Sequence, residues 1–537
     1  MKLVRTSLIV SHRYLGIALS LLVAMWFASG IVMMYAGGMP RLDQQVRLER
    51  LPNIDLSKIK LTLAEAAEKL GMDASAGWDS TGRGAGRLVL LTIMDRPAYR
   101  IGGEGIVFAD TGEVLKDIDQ AQAQSIAARF LNLPADKVRF DRKLTEVDQW
   151  TLGQGRQMPQ YKFTADDGLG TAVYVQPRTG EVSLMTTQRA RTLAWLGVIP
   201  HWLYFAPLRV NQPLWYDIMV WTSGIACFIA VMGLILAFTQ WRRTTPFQLK
   251  RAIPYAGWMR WHYITGAVFG VTTLTFAYSG LLSMEPFAWT NAEGLQVPRN
   301  VFTGGPTDLQ SFKALDPSSW NAALDGRGIK EIEFSRIQDA SFYVVRLALN
   351  APAYARMRER LHEPYNSNVG VEQDQVLVSA DTLQVKQEPF STGSLVTRLK
   401  GSLPDAPIVE ETLLSEYDSY YYSRGQLQPL PALRVKFGDP METWVYVDPK
   451  MSQVVAEIHR LNRLERWLYS GLHNFDFKIL YDYRPAWDIV MLLLCLGGLA
   501  SSGIGVYLGI ARMRRGARRG LAAIGKSAGA ERPEPAE

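Results

Sequence analysis

Cysteine is very scarce in this sequence: only Cys227 and Cys495 occur among its 537 residues. Both fall within long apolar stretches, and neither belongs to a CxxCH motif, so the chain has no attachment site for a c-type haem. Two isolated thiols cannot hold an iron–sulfur cluster, which normally has cysteine at all four ligand positions. Any redox centre must therefore be bound by other residue types.

Nucleotide-binding fingerprints are missing as well. The sequence contains no Walker motif, and its best glycine pattern, Gly503, Gly505 and Gly509, lies inside an apolar stretch with no strand before it. We assign these glycines to helix packing. A redox function would therefore need a separate cytoplasmic reductant or a quinone as its electron donor.

Charged residues are absent from four long stretches, 14–40, 218–241, 261–284 and 489–511. Each is long enough to cross the roughly 30 Å hydrocarbon core of a bilayer as an α-helix. The first could instead be a signal peptide, because Lys2 and Arg5 give it a basic start, but its uncharged run is too long. We predict four transmembrane helices in the lipid bilayer.

Basic residues cluster at three places: before the first stretch, between the second and third, and after the fourth. These clusters contain Lys2, Arg5, Arg13, Arg242, Arg243, Lys250, Arg251, Arg260, Arg512, Arg514, Arg515, Arg518 and Arg519. Positive residues mark the cytoplasmic side, so both termini are predicted to be cytoplasmic in a bacterial inner membrane. The clusters largely explain the net charge of +7 and give no reason to expect nucleic-acid binding.

The predicted organisation alternates membrane and periplasmic segments. Residues 1–40 form the N-terminal tail and first span, 41–190 a first periplasmic domain, 191–241 an interfacial helix and the second span, and 242–260 a cytoplasmic loop. Residues 261–285 form the third span, 286–462 a second periplasmic domain, 463–511 an interfacial helix and the fourth span, and 512–537 a basic cytoplasmic tail.

The sequence also repeats itself. Spans one and three share residues at a constant spacing of 250: His12, Gly16, Ser29 and Gly30 match His262, Gly266, Ser279 and Gly280. Spans two and four share a pattern at a spacing of 272: Trp195, His201, Pro213, Trp215, Gly233, Arg242 and Arg243 match Trp467, His473, Pro485, Trp487, Gly505, Arg514 and Arg515. We predict a membrane α-helical fold in two tandem repeats, with 22 extra residues in the second periplasmic segment.

The repeat singles out four of the six histidines, and leaves His362 and His459 in the periplasmic segments. His12 and His262 are predicted to face each other near the cytoplasmic side, and His201 and His473 near the periplasmic side. Ionisable residues inside a membrane are functional candidates by default, and neutral imidazole is a normal ligand of haem iron. The two pairs are therefore candidates for binding two b-type haems.

Two other interpretations of these histidines stay open. They could be interfacial anchors or hydrogen-bonding residues, although their paired and repeated arrangement favours ligation. Zinc is less favoured because a structural zinc site has four protein ligands and each face offers only two of these histidines. The neighbouring glycine stripes could serve close helix packing, or could clear space for a flat macrocycle.

The periplasmic segments alternate helical patterns with strand pairs. Residues 61–70 and 121–130 are predicted to be amphipathic helices, and residues 105–116, 171–185 and 443–457 to be strand, turn, strand, so that these domains are small α+β units. The phrases YVQPRTGEV (174–182) and YVDPKMSQV (446–454) resemble PepSY domains. The second lacks the usual Thr-Gly and has Met451 and Ser452 instead, which suggests a degenerate turn.

Nearly the whole chain resembles the PepSY-associated transmembrane family. The resemblance also rests on SHRYLG (11–16), WHYITG (261–266), YDSYYY (417–422), WLYSGLHNFDF (467–477) and RPAWDIV (484–490). Members of that family include iron-regulated inner-membrane proteins, and some are oxidoreductases that reduce siderophore-bound ferric iron and carry two haems in the membrane. The resemblance implies the same activity here, with a ferric siderophore or other ferric chelate as substrate.

The expected substrate region lies close in sequence to the periplasmic histidines: Tyr204, Arg209, Asn474, Asp476 and Arg484. Two rival functions remain open on the sequence alone. One is a haem-free PepSY binding or sensory protein whose histidines only pack, and the other is a cytochrome b that exchanges electrons with quinone.

Overall fold

The computed structural model describes residues 2–79, 86–246, 248–291, 295–313, 319–320, 324, 326–349, 375–422, 428–483 and 485–530. The chain forms two compact units. The first, here called the helical unit, comprises residues 1–35, 195–291 and 464–537, and the second, the sheet unit, comprises residues 36–194 and 292–463. His362 lies outside the described residues, and His459 lies in the sheet unit.

The helices follow one another as α1 (Lys2–Ala36), α2 (Gln44–Arg50), α3 (Leu63–Lys69), α4 (Gln120–Leu131), α5 (Gln188–Leu196), α6 (Val198–Trp202), α7 (Ala206–Arg209), α8 (Gln212–Gln240), α9 (Leu249–Ala252), α10 (Gly257–Leu282), α11 (Thr392–Ser402), α12 (Arg460–Glu465), α13 (Leu472–Asn474), α14 (Lys478–Asp482) and α15 (Ala486–Ala530). A π-helical turn, Arg466–Gly471, joins α12 to α13.

Four of the described helices, α1, α8, α10 and α15, are long and apolar enough to cross a membrane. Each overlaps one of the four charge-free stretches, so the chain is a multi-pass membrane protein with four candidate membrane helices, as predicted. Helix α1 starts at Lys2, before the first charge-free stretch, and α15 continues to Ala530, past the arginines that follow the fourth. His12 therefore lies inside α1, and His262 lies inside α10, which begins at Gly257.

Small residues let these helices pack closely. A Cβ atom built at Gly498 of α15 would overlap the ring of Phe27 on α1, and one at Gly497 would overlap the ring of Phe269 on α10. Glycine removes the side chain that would otherwise hold the neighbouring helix away. Gly509 likewise faces Ile17 of α1, whereas nothing lies within 4 Å of a Cβ built at Gly503. The assignment of the 503–509 glycines to packing thus holds at Gly509 but not at Gly503.

The sheet unit contains fourteen described strands: β1 (Leu88–Ile93), β2 (Arg96–Ile101), β3 (Gly105–Phe108), β4 (Val138–Leu144), β5 (Gln160–Ala165), β6 (Ala172–Gln176), β7 (Glu181–Thr186), β8 (Ile329–Ile337), β9 (Ala340–Leu347), β10 (Gln375–Ser379), β11 (Ile408–Leu414), β12 (Ala432–Phe437), β13 (Trp444–Asp448) and β14 (Gln453–Ile458).

The largest sheet joins the two segments that the sequence analysis treats as separate domains. Its strand order is β10-β9-β8-β1-β2-β3, which is symmetrical about the antiparallel pairing of β8 with β1. Leu88 pairs with Phe334 and Leu91 with Glu331. Without this pairing, β1 and β8 would each be an unpaired edge strand of a three-stranded sheet. The pairing places both strands in the middle of one sheet. The core on this sheet includes Leu90, Tyr99, Ile332 and Tyr343, from both segments.

Each segment also contributes one four-stranded antiparallel sheet covered by a helix. Strands β4 to β7 pack against α4, and β11 to β14 pack against α11, through apolar residues on the facing surfaces. The predicted helices at 61–70 and 121–130 are confirmed as α3 and α4, and both begin with a capping box, at Thr62 and Asp119. The predicted strand pairs at 171–185 and 443–457 are confirmed as β6–β7 and β13–β14.

The turn in YVDPKMSQV is not degenerate. Strands β13 and β14 pair as β6 and β7 do, and Ser452 adopts a φ of 50° where Gly180, at the corresponding position, has a φ of 63°. This left-handed region is costly for serine. The Ser452 hydroxyl is buried and accepts a hydrogen bond from Nε2 of Gln338 at 3.0 Å, which helps to hold the turn.

A buried ion cluster ties the strands of the sheet unit together. The Glu331 side chain on β8 is fully buried and contacts three guanidinium groups: Arg47 at 3.1 Å, Arg87 at 2.7 Å and Arg346 at 3.0 Å. Arg47 also pairs with Glu181 on β7. Burial alone would raise the pKa of Glu331, but the three positive charges outweigh it and lower the pKa to about 2.

The substitution Glu331→Gln is expected to destabilise the protein by roughly 3–5 kcal/mol at pH 7, because it removes the fully buried anion that three arginines share. The contribution of an ionised Glu331 is complete above about pH 4.5, its ordinary pKa, and is lost as the pH falls towards 2. The difference in thermal midpoint between the full-length wild type and this variant in detergent should therefore narrow below pH 4.5.

Glu333→Gln is the matched control, since Glu333 pairs with two of the same arginines but its side chain is 21% exposed. Its effect on the midpoint should be smaller. A gap between wild type and Glu331→Gln that stayed constant down to pH 3 would show that the charge of Glu331 is not what stabilises the fold.

Candidate functional site

The first candidate site is formed by two histidines that face each other inside the helical unit. His12 lies on α1 and His262 on α10, and their ring centroids are 6.3 Å apart. Nδ1 of His12 lies 3.1 Å from the Ile229 carbonyl of α8, and Nδ1 of His262 lies 3.1 Å from the Ser501 carbonyl of α15. A carbonyl oxygen only accepts, so in each ring we assign the proton to Nδ1.

The second site is formed by His201 on α6 and His473 on α13, with ring centroids 6.1 Å apart. Nδ1 of His201 is 3.1 Å from the Ser29 hydroxyl, and Nδ1 of His473 is 3.0 Å from the Ser279 hydroxyl. Each of these hydroxyls donates its own hydrogen to a backbone carbonyl 2.6 Å away, and so is free to accept from the imidazole. The proton again resides on Nδ1.

These hydrogen bonds leave the other ring nitrogen available. Among the described residues, none hydrogen-bonds to Nε2 of the four histidines. A neutral imidazole protonated at Nδ1 presents a lone pair at Nε2, and a hydrogen bond from Nδ1–H to a carbonyl raises the basicity of that lone pair. In each facing pair, both imidazoles therefore have a lone pair available for a ligand.

A glycine of a neighbouring helix lies against every one of these rings: Gly233 faces His12, Gly505 faces His262, Gly30 faces His201 and Gly280 faces His473. Cβ atoms built at these glycines would lie 3.0, 3.6, 3.4 and 3.8 Å from Cε1 of the respective ring. Gly16, by contrast, has nothing within 4 Å of a built Cβ. Gly30 thus belongs to the second site, whereas Gly16 lines a cavity beside the first, although both lie on one stripe of α1.

A cavity of about 360 Å³ adjoins the His12–His262 pair. Gly16, Gly266 and Gly270 line its body, and its volume falls within the roughly 300–1,000 Å³ typical of cofactor and ligand pockets. Gly16 and Gly266 therefore clear space beside the imidazoles. Among the described residues no three His, Cys, Asp or Glu side chains form a common metal-binding group.

Tyr204 and Arg209, two members of the predicted substrate region, contact each other just after His201. The Arg209 guanidinium lies 5.0 Å from the Tyr204 ring centroid and 4.4 Å from that of Trp215. The Trp215 indole donates to the carbonyl of Trp202 at 2.8 Å. These contacts hold the end of α6 in place and so position His201.

Asn474 and Asp476 occupy the corresponding place after His473. The Asn474 carbonyl accepts from the Trp487 indole at 2.8 Å, and the buried Asp476 carboxylate lies 3.7 Å from the Arg466 guanidinium. These contacts hold the segment that carries His473. Arg484 lies outside the described residues.

The sequence analysis missed several residues that position the second pair. Tyr469 stacks on His473 with ring centroids 5.4 Å apart, and it lies in the π-helical turn that precedes this histidine. Such turns are frequent at functional sites. The repeated Ser-Gly dipeptides indicated that Ser29 and Ser279 matter. The sequence did not indicate that these serines contact the second histidine pair.

A family model identifies the family of this chain. A search of the curated proteins finds no match to the chain. The family model described as "PepSY-associated TM region" matches residues 9–512, which include all four spans, both histidine pairs and the sheet unit. The match covers nearly the whole chain, and the chain therefore belongs to the PepSY-associated TM family.

Proposed function

We propose that the protein is a di-haem b-type electron-transfer protein of the bacterial inner membrane, which passes electrons outwards to reduce periplasmic ferric iron, with a ferric siderophore as the preferred substrate. The observation that carries this proposal is the geometry of the two histidine pairs. Their ring centroids are 6.3 and 6.1 Å apart, and all four imidazoles hold their proton on Nδ1.

This spacing would let two imidazoles hold one metal ion between them. His12 with His262, and His201 with His473, would each hold the iron of one haem b. Two protein ligands are too few for a structural zinc site, whereas a haem brings most of the ligands of its iron itself. The glycine-lined cavity beside His12 and His262 offers room for such a flat group.

When bound, haem b would supply the one-electron chemistry, since its iron cycles between ferric and ferrous states. The residues of this chain fix the ligands. Carbonyls and serine hydroxyls orient the imidazoles, and the glycines let those rings approach the neighbouring helices. Each electron delivered converts one ferric ion into ferrous iron, and siderophores hold ferrous iron more weakly.

The positions of the pairs support a path across the bilayer. Along α1, His12 of the first pair and Ser29 beside the second pair are 17 residues apart, or about 26 Å at roughly 1.5 Å per residue. This approaches the roughly 30 Å thickness of the hydrocarbon core. The basic clusters favour a cytoplasmic position for His12 and His262, with the sheet unit in the periplasm and both termini in the cytoplasm.

The matching contacts of the two halves support an origin by duplication. The four glycine–histidine contacts follow the repeat spacings of 250 and 272, and the central sheet is symmetrical about the pairing of β8 with β1. More residues separate β9 from β10 than separate β2 from β3. The additional residues of the second half therefore fall between β9 and β10. One ancestral span, domain, span unit written twice accounts for both features.

The proposal is tested on the purified full-length protein in detergent. We expect two haems b per chain, a bis-histidyl optical spectrum on reduction with dithionite, and reoxidation by an anaerobically added ferric siderophore with stoichiometric formation of ferrous iron. A chain purified after expression with ample haem that shows no such absorbance would refute the proposal. Reduction of the haems by added quinol would identify quinone as the donor.

A further inference from the structure

One polar group at the end of the cavity beside His12 and His262 lacks a partner. Gln240, the last residue of α8, lines this cavity and its side chain is 8% exposed. Its carboxamide oxygen accepts a hydrogen bond from Arg5 at 2.6 Å. Its Nε2 group has no partner among the described residues. A buried, unsatisfied donor is unfavourable unless a ligand accepts from it.

Three arginines line the same cavity. Arg13 follows His12 on α1, and Arg512 and Arg515 lie on α15. None of the three forms an ion pair with a carboxylate in the described part of the chain. The cavity therefore combines an apolar, glycine-lined body with one end where three arginines and the Gln240 amide donor lie.

The general preference for basic residues on the cytoplasmic side explains why arginines follow the last span, but not which of them face the cavity. Gly505, Gly509 and Arg512 are spaced by four and three residues, so they share one face of α15, and that face holds the glycine that contacts His262. Arg514 and Arg518 do not line the cavity. The position of each arginine around the axis of α15 thus decides whether it lines the cavity.

We propose that Arg13, Arg512, Arg515 and the Gln240 amide bind the two carboxylates of the haem held by His12 and His262. This inference rests on the proposed function. Haem b has an apolar ring with two propionate groups on one edge, which matches a cavity with an apolar body and a cationic end. Arginine binds carboxylates through two parallel hydrogen bonds, and the Gln240 amide supplies a further donor. The ring is then oriented with its propionates towards the basic end of α15.

The test compares haem b with its dimethyl ester, which keeps the ring and the iron but has no carboxylate charge. Both are titrated into the full-length protein that carries His201→Ala and His473→Ala, so that only the first pair can bind, and binding is followed by the Soret band. We expect the ester to bind at least about tenfold more weakly than haem b, since charge-assisted hydrogen bonds contribute about 1.5–3 kcal/mol each.

The double substitution Arg512→Gln, Arg515→Gln should weaken haem b by about tenfold and leave the ester unchanged, and Gln240→Leu should act in the same direction. Ester binding by these variants shows that the site is still folded. Arg514→Gln with Arg518→Gln is the matched control on the same helix and should leave both affinities unchanged. Equal affinity for acid and ester, with no effect of the arginine changes, would overturn the inference while the proposed function stands. Failure of both porphyrins to bind would overturn both.

Discussion

Replacing His473 with alanine is expected to remove about half of the haem from the purified protein. His473 faces His201 with ring centroids 6.1 Å apart, and no other described histidine lies at this site. Without His473, only His201 would remain to hold the second haem. The first pair, His12 and His262, keeps all its contacts in this variant, because these belong to α8 and α15. Haem per chain, measured as the pyridine complex, should fall from about two to about one.

His459→Ala is the matched control for this experiment. His459 lies in the sheet unit at the end of β14, where its Nδ1 accepts a hydrogen bond from the Leu461 backbone N–H at 3.2 Å. The substitution His459→Ala should not change the haem content. His12→Ala should give the complementary result, with loss of the other haem. The two variants should differ in the spectrum of the haem that remains. Retention of two haems by His473→Ala would refute the pairing.

The spans and the histidine pairs could be predicted from the sequence because both depend on local or repeated signals. A charge-free stretch of more than twenty residues has few alternatives to a membrane helix, and the spacings of 250 and 272 single out His12, His201, His262 and His473 together. Helices α3 and α4 were likewise predictable, since their capping residues precede the apolar pattern directly.

Contacts between distant elements were not predictable in this way. Strands β1 and β8 pair although more than two hundred residues separate them in the sequence. Neither strand contains a pattern that would predict this partner. The position of Gly30 beside His201 depends on how a short helix returns to the end of α1. The left-handed Ser452 was misread because its hydroxyl is held by Gln338, a residue more than one hundred positions earlier in the chain.

The four imidazoles share one mode of attachment. Nδ1 of three of them contacts a backbone carbonyl that comes four residues before the glycine facing the ring: Ile229 before Gly233, Ser501 before Gly505 and Trp26 before Gly30. His473 likewise has a backbone hydrogen bond with Phe276, four residues before Gly280. In an α-helix a side chain leans back over the turn that precedes it. A glycine therefore uncovers the carbonyl four residues earlier, so that an imidazole can reach it.

Gly233→Val tests this role where the approach is tightest. A Cβ atom at Gly233 would lie 3.0 Å from Cε1 and 3.6 Å from Nδ1 of His12, and valine adds two more methyl groups. We expect the His12 ring to be displaced and its bond to the Ile229 carbonyl to break. Haem content should fall from about two to about one per chain, with the second haem unaffected. The measurement is the same haem assay, combined with the optical spectrum.

Gly224→Val on the same helix is the matched control, because nothing lies within 4 Å of a Cβ built there, and its haem content should stay at two. A graded result is expected from alanine. At Gly280 a Cβ atom would make an ordinary contact with His473 at 3.8 Å, so Gly280→Ala should keep both haems, while Gly233→Ala should loosen the first. Two firmly bound haems in Gly233→Val would mean that His12 does not depend on this glycine. The repeated glycines would then serve helix packing alone, because a ring that tolerates valine at 3.0 Å is not held by that approach.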